Sequence, residues 1–172
     1  MRIWKARGAT VSLTNPAVNG YTTDDLMERE LPLARTTRPT IVTLLIGAND
    51  IVRGRDAVQY RAQLRRILVE IVDAGVARSA IYGLPQPDWS VSPSAAGFGT
   101  PEALRARIVE FNAILREEVL GADGIYIDLF PLMRKQADAG MLAPDGLHPS
   151  AAALAEWAAT LAERIPTTRM GP

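Results

Sequence analysis

One histidine, His148, stands in the chain, within Asp145-Gly146-Leu147-His148-Pro149. Histidine is the one side chain whose unperturbed pKa lies in the neutral range, so acid–base chemistry near pH 7 would fall to His148. A tight turn with Asp145 at one end can set its carboxylate against the imidazole Nδ1–H. That contact fixes the tautomer and leaves Nε2 to take a proton from a nucleophile. The two residues would then be the orienter and base of a hydrolase triad. Read structurally they form a surface turn, and an aspartate three residues before a histidine arises by chance about once in twenty at average residue usage.

Two further segments carry groups suited to a developing negative charge. In Asn19-Gly20-Tyr21-Thr22-Thr23-Asp24-Asp25, Gly20 permits close backbone approach to a ligand, Thr22 or Thr23 can cap a helix, and the aspartates suit the positive end of its dipole. The Gly20 N–H is thereby a candidate oxyanion donor; the plainer reading makes Gly20 a strand-to-helix turn. In Ile46-Gly47-Ala48-Asn49-Asp50, an apolar β-branched run ends abruptly. Asn49 then falls beyond the carboxyl end of a buried parallel strand, where ligands bind in open α/β sheets, and its amide can donate without titrating. Asp50 reads instead as an Asx turn or helix cap.

Together these segments resemble the SGNH (GDSL-type) hydrolase family, whose members carry serine, glycine, asparagine and histidine in four separated blocks. Gly20 matches the glycine block, Asn49 in Ile-Gly-Ala-Asn-Asp the asparagine block, and Asp145 with His148 the last block. The resemblance implies a three-layer α/β/α, flavodoxin-like parallel sheet and an acyl transfer through a serine ester. It makes His148 and Asp145 catalytic, and Gly20 with Asn49 the oxyanion hole. Family members begin with a strand ending in Gly-Asp-Ser, and this sequence has no such block. Neither Ser12, Ser90, Ser92, Ser94 nor Ser150 occupies the nucleophile's place, so the nucleophile is unassigned. A missing upstream segment, an inactive relative that binds a ligand in the same pocket, and a serine recruited from elsewhere are the three explanations. Retention of all four other residues, with a whole strand absent, favours the first. Without the serine the chain alone should be inactive.

The elements that must position these groups alternate. Strands are expected at 11–15, 40–46, 79–84 and 125–129, and helices at 22–35, 56–74, 100–120 and 149–164. Residues 1–9 read as the tail of a preceding helix. This order implies a parallel sheet with helices on both faces. In the strand order 2-1-3-4-5 that the resemblance implies, the missing first strand would lie between 11–15 and 40–46. Those two strands would then either pair directly or leave open edges that invite self-association. The proline-rich segment 85–99 should be an irregular wall of the substrate pocket, with Trp89 weighed both as pocket lining and as packing within its own loop. Asn112 matches a position shared by many members of the resembled family, but suggests no physical role.

Composition bounds the rest. At 172 residues, 48% hydrophobic and 22% charged, the chain suits one folded domain over 1–172. Nineteen basic and nineteen acidic residues cancel, which gives no electrostatic reason to expect nucleic acid or an anionic membrane as partner. With no cysteine and one histidine, neither a disulfide framework nor a transition-metal site is expected, and no cofactor is implied. The expected partner is a small acyl ester. No apolar run has membrane-spanning length and the start lacks a signal peptide, so the sequence as written reads as cytoplasmic, with secretion the alternative if a leader lies upstream. A nucleotide-binding doubly wound domain is the remaining rival, and no Gly-x-Gly-x-x-Gly or Walker A pattern supports it.

Overall fold

A computed structural model describes residues 2–166. In chain order its helices are α1 (Arg2–Ala6), α2 (Thr23–Asp25), α3 (Leu31–Thr37), α4 (Ala48–Val52), α5 (Ala57–Asp73), α6 (Pro101–Gly121), α7 (Phe130–Asp138) and α8 (Ala151–Arg164). The strands β1 (Val42–Leu44), β2 (Ile81–Gly83) and β3 (Ile125–Tyr126) form a parallel sheet in that order. Val42 lies opposite Ile81, and Gly83 opposite both Leu44 and Tyr126.

Because side chains alternate across a pleat, the sheet feeds two cores. Leu44, Ile81 and Tyr126 face the layer made by α5, α6 and the run from α2 to α3, where Leu64, Ile67, Ile108, Phe111 and Leu115 are buried. Tyr82, Ile125 and Ile127 face the opposite layer, filled by Met133 of α7, Trp157 of α8 and Trp4 of α1. The result is three layers, α/β/α.

Local chemistry accounts for the long helices. Asp56 and Gln59 form a reciprocal capping box at the start of α5, with Gln59 N–H donating to Asp56 at 2.7 Å. Its buried residues Tyr60, Leu64, Ile67, Leu68 and Ile71 recur at helical spacing. Thr100 caps α6 with Pro101 in the first turn, and Ser150 caps α8. Between α2 and α3 the helix widens into a π-turn at Leu26–Glu30, immediately ahead of Pro32, which has no N–H to offer the regular ladder.

Residues 11–15, expected from the sequence to be a strand, form none. Ser12, Leu13, Thr14 and Asn15 are exposed, and no neighbouring strand completes a ladder there. β-Branched residues favour extended backbone, but only pairing and burial make a strand. The outward edge of β1 has no strand partner among the described residues; because 11–15 is not a strand, the choice foreseen between two paired and two open strand edges reduces to this one open edge. Residues 85–99 also differ from a plain loop: most of 84–92 is buried, and a short 3₁₀ segment, Pro93–Phe98, follows.

Candidate active site

The segment 142–149 closes on itself through an antiparallel bridge between Leu142 and Pro149, and Ala143 N–H donates to His148 O at 2.7 Å. Gly146 occupies the left-handed region at φ +67°, which lets the chain reverse within four residues. Inside this turn the Asp145 carboxylate does two jobs. Oδ1 accepts the backbone N–H groups of Leu147 at 2.9 Å and His148 at 3.0 Å, while Oδ2 lies 2.7 Å from His148 Nδ1. The two backbone donors, followed by the imidazole, hold the Asp145 carboxyl down at about 2. An ionised Asp145 therefore orients the ring, with both side chains about half exposed.

Serines of the segment after β2 hold the turn in place. Ser94 Oγ donates to Asp145 O at 2.8 Å, Ser94 N–H to Gly146 O at 3.3 Å, and Ser92 Oγ reaches Leu147 O at 3.5 Å. Ser90 Oγ donates to the buried Asp88, and Ser150 Oγ caps α8. Each of these four hydroxyls therefore has a structural partner, and in none is it His148.

The glycine and asparagine blocks meet beyond the end of β1. Gly47, at φ +123°, starts α4, and a Cβ there would lie 2.8 Å from the Tyr60 hydroxyl, which itself donates to Ile46 O at 2.9 Å. Only glycine fits this approach. The short helix presents Asn49, whose Nδ2 donates to Tyr21 O at 2.9 Å, drawing the glycine block and the asparagine block together. One of the two amide hydrogens is thus used and the second has no acceptor among the described residues. Gly20 sits at φ +90° with open space where a Cβ would be, its carbonyl held by Arg53 Nη2 at 3.0 Å. Its N–H likewise has no acceptor among the described residues.

The structure thus joins Asp145 to His148 and Gly20 to Asn49; Asn49 lies in the helix that follows β1, and the Asp145–His148 turn is bonded to the segment that follows β2. Asp50 is not the cap of its own helix. Fully buried, it accepts from Thr23 across the chain. Trp89 is 6% exposed and donates from Nε1 to Gln86 at 3.3 Å, so it packs within its loop.

Asn112, for which the sequence suggests no physical role, has one in the structure. From the middle of α6 it accepts Gln86 N–H at 2.9 Å and donates to Gln86 O at 3.0 Å, pinning the start of the segment that supports the Asp145–His148 turn. A signal was present: Asn112 shares the buried face of Leu104, Ile108, Leu115 and Val119, where a polar residue requires partners. Among the described residues there is no cluster of acidic, histidine or cysteine side chains that could hold a metal ion, and no helix long and apolar enough to cross a membrane.

Known proteins share this fold. A lipase/acylhydrolase from Enterococcus faecalis superposes with a TM-score of 0.79 at 24% identity, covering 99% of this chain and 84% of its own. An α/β hydrolase enzyme from the metagenome of Lake Arreo, Spain, gives 0.66 at 19% identity, over 89% and 71%. The acetylxylan esterase Axe2 from Geobacillus stearothermophilus gives 0.63 at 18%, over 89% and 69%. No curated protein matches the chain. The sequence fits the GDSL-like Lipase/Acylhydrolase family over residues 2–155, and the chain belongs to that family.

Proposed function

We propose that this chain carries the acid–base and oxyanion groups of an ester hydrolase that cleaves small acyl esters through a serine nucleophile lying outside the 172 residues. The observation that carries the reading is the Asp145–His148 contact at 2.7 Å, made by a carboxylate that two backbone amides keep ionised. In this reading His148 Nε2 takes the serine proton as the hydroxyl adds to the ester carbonyl. Asp145 stabilises the imidazolium, and the proton passes to the departing alkoxide as the acyl-serine forms. Water then repeats the sequence and releases the acid. Gly20 N–H and the spare Asn49 Nδ2–H, both unpaired among the described residues, are the donors for the tetrahedral oxyanion. Family membership supports ester hydrolysis at the level of reaction class.

A second reading is a ligand-binding relative without turnover, favoured by the structural partners of Ser90, Ser92, Ser94 and Ser150. The test compares the 172-residue chain with a version extended by the reading frame upstream of Met1, each with and without His148→Ala, on p-nitrophenyl acetate and butyrate. The proposal expects hydrolysis by the extended protein only, lost on His148→Ala. His148-dependent hydrolysis by the 172-residue chain would place the nucleophile inside it. An extended protein that carries Gly-Asp-Ser yet is inert, but binds the product acids, would favour the second reading.

A further inference from the structure

We infer that Asp50, with Thr23 and Arg55, is a positioning residue that sets the direction of the Gly20 N–H relative to Asn49; the inference rests on the oxyanion role proposed for those two groups. Asp50 is fully buried, and an ionised carboxylate is not kept out of water without strong partners. It has three donors: Thr23 N–H at 3.0 Å, Thr23 Oγ1–H at 2.6 Å and Arg55 Nε–H at 2.6 Å. All three are donors, so an ionised acceptor suits the position and an amide does not.

The consequence lies in which peptide groups are gripped. Arg53 holds Gly20 O, Asn49 holds Tyr21 O, Asp25 accepts Thr22 N–H at 3.0 Å, and Asp50 accepts Thr23 N–H. The three consecutive peptide planes that follow Gly20 are therefore each held, three of the four bonds coming from α4 or from Arg53, which follows it, and Tyr21 N–H, in the first of these planes, donates to Val18 O at 3.2 Å and closes the turn that carries the Gly20 N–H. Asn49 and Asp50 are adjacent in sequence and grip the peptide planes on either side of Thr22, so the run from Tyr21 to Thr23 is held against α4 as a unit. Arg55 is anchored in turn by Asp24 and, through its carbonyl, by Arg107 of α6 at 2.5 Å. The two oxyanion donors are thus coupled before any substrate arrives, which is what preorganised stabilisation of a developing charge requires.

The test uses the 172-residue chain and acetate, the carboxylate that an acetyl ester would release, with binding read from the ¹⁵N–¹H shifts of Gly20 and of Asn49 Nδ2. Asp50→Asn should weaken acetate by about tenfold or more, the scale set by loss of a hydrogen bond to a charged group. Thr23→Val keeps the shape and removes the hydroxyl, and should weaken it by roughly three- to tenfold. Thr23→Ser should restore affinity to within about twofold, since the hydroxyl returns. Asp56→Ala, which removes the cap of α5, should lower thermal stability and leave acetate affinity unchanged, separating positioning from general stability. Wild-type affinity in both Thr23→Val and Asp50→Asn overturns the inference while leaving the oxyanion reading intact. No response of Gly20 or Asn49 to acetate in the unmodified chain overturns the oxyanion reading and the inference with it.

Discussion

Replacing Asn112 tests how the body of the fold holds the acid–base turn. Its side chain makes two bonds to the backbone of Gln86, at 2.9 and 3.0 Å, and Gln86 is fully buried. Asn112→Ala leaves a buried N–H and a buried C=O without partners, each costing about 1–3 kcal/mol, so the sum is about 2–6 kcal/mol. Taking the middle of that range and about 2–4 °C per kcal/mol for a chain of this size, the melting temperature should fall by about 8–16 °C. Asn112→Asp discriminates further. A protonated carboxyl can accept from Gln86 N–H and donate to Gln86 O, whereas the ionised form sets a buried charge against that carbonyl. Burial would raise the pKa of the introduced carboxyl in the folded state, so its stabilising contribution is present below the ordinary aspartate range and is lost as pH rises through the raised value. Urea unfolding of both variants and the unmodified chain, each at pH 4 and pH 8, provides the measurement. The deficit of Asn112→Asp relative to the unmodified chain should shrink in acid, and that of Asn112→Ala should not. A loss below about 1 kcal/mol for Asn112→Ala, or an Asn112→Asp deficit insensitive to pH, would refute the reasoning.

Two further expectations concern the turns. Gly47→Ala should cost about 3 kcal/mol or more, because strain at φ +123° adds to a clash with Tyr60, which is stacked on Phe111 and cannot yield; Gly20→Ala meets open space and should cost only about 1–2 kcal/mol of backbone strain, so chemical denaturation should rank them in that order. Asp145 should titrate at about 2, with the amide shifts of Leu147 and His148 following it: a folded-state pKa below the unfolded one means the turn's support is complete above the ordinary aspartate range and disappears as pH falls through about 2. Amide titration midpoints near the ordinary aspartate value would show that the carboxylate does not hold the turn.

What the sequence made legible follows from the range of the interactions involved. Asp56, Thr100 and Ser150 announce their helices because a cap acts on residues three positions away, and the β-branched core of β1 and β2 is read from a local run. The Asp145–His148 contact spans three residues and was equally readable. The strand expected at 11–15 failed because extended propensity without a partner or a buried face does not decide structure. Neither α4 nor α7 was foreseen. In α4 the helix is a single short turn created by Gly47, and α7 starts at Phe130-Pro131 directly after residues read as strand. The bonds of Asn112 to Gln86 and of Asp50 to Thr23 span 26 and 27 residues, and no local pattern specifies such partners. Only the presence of a polar residue on an apolar face hinted that one existed.

The central claim is that the glycine turn, the carboxamide and the imidazole serve one acyl site. Titrating the chain with acetate while following Gly20 N–H, Asn49 Nδ2 and the His148 ring nitrogens tests it most directly. All three should respond with a single dissociation constant, and Asn49→Ala should weaken the response at His148 as well as at Gly20. Separate constants for the ring and the glycine turn, or a response at His148 indifferent to Asn49→Ala, would contradict it.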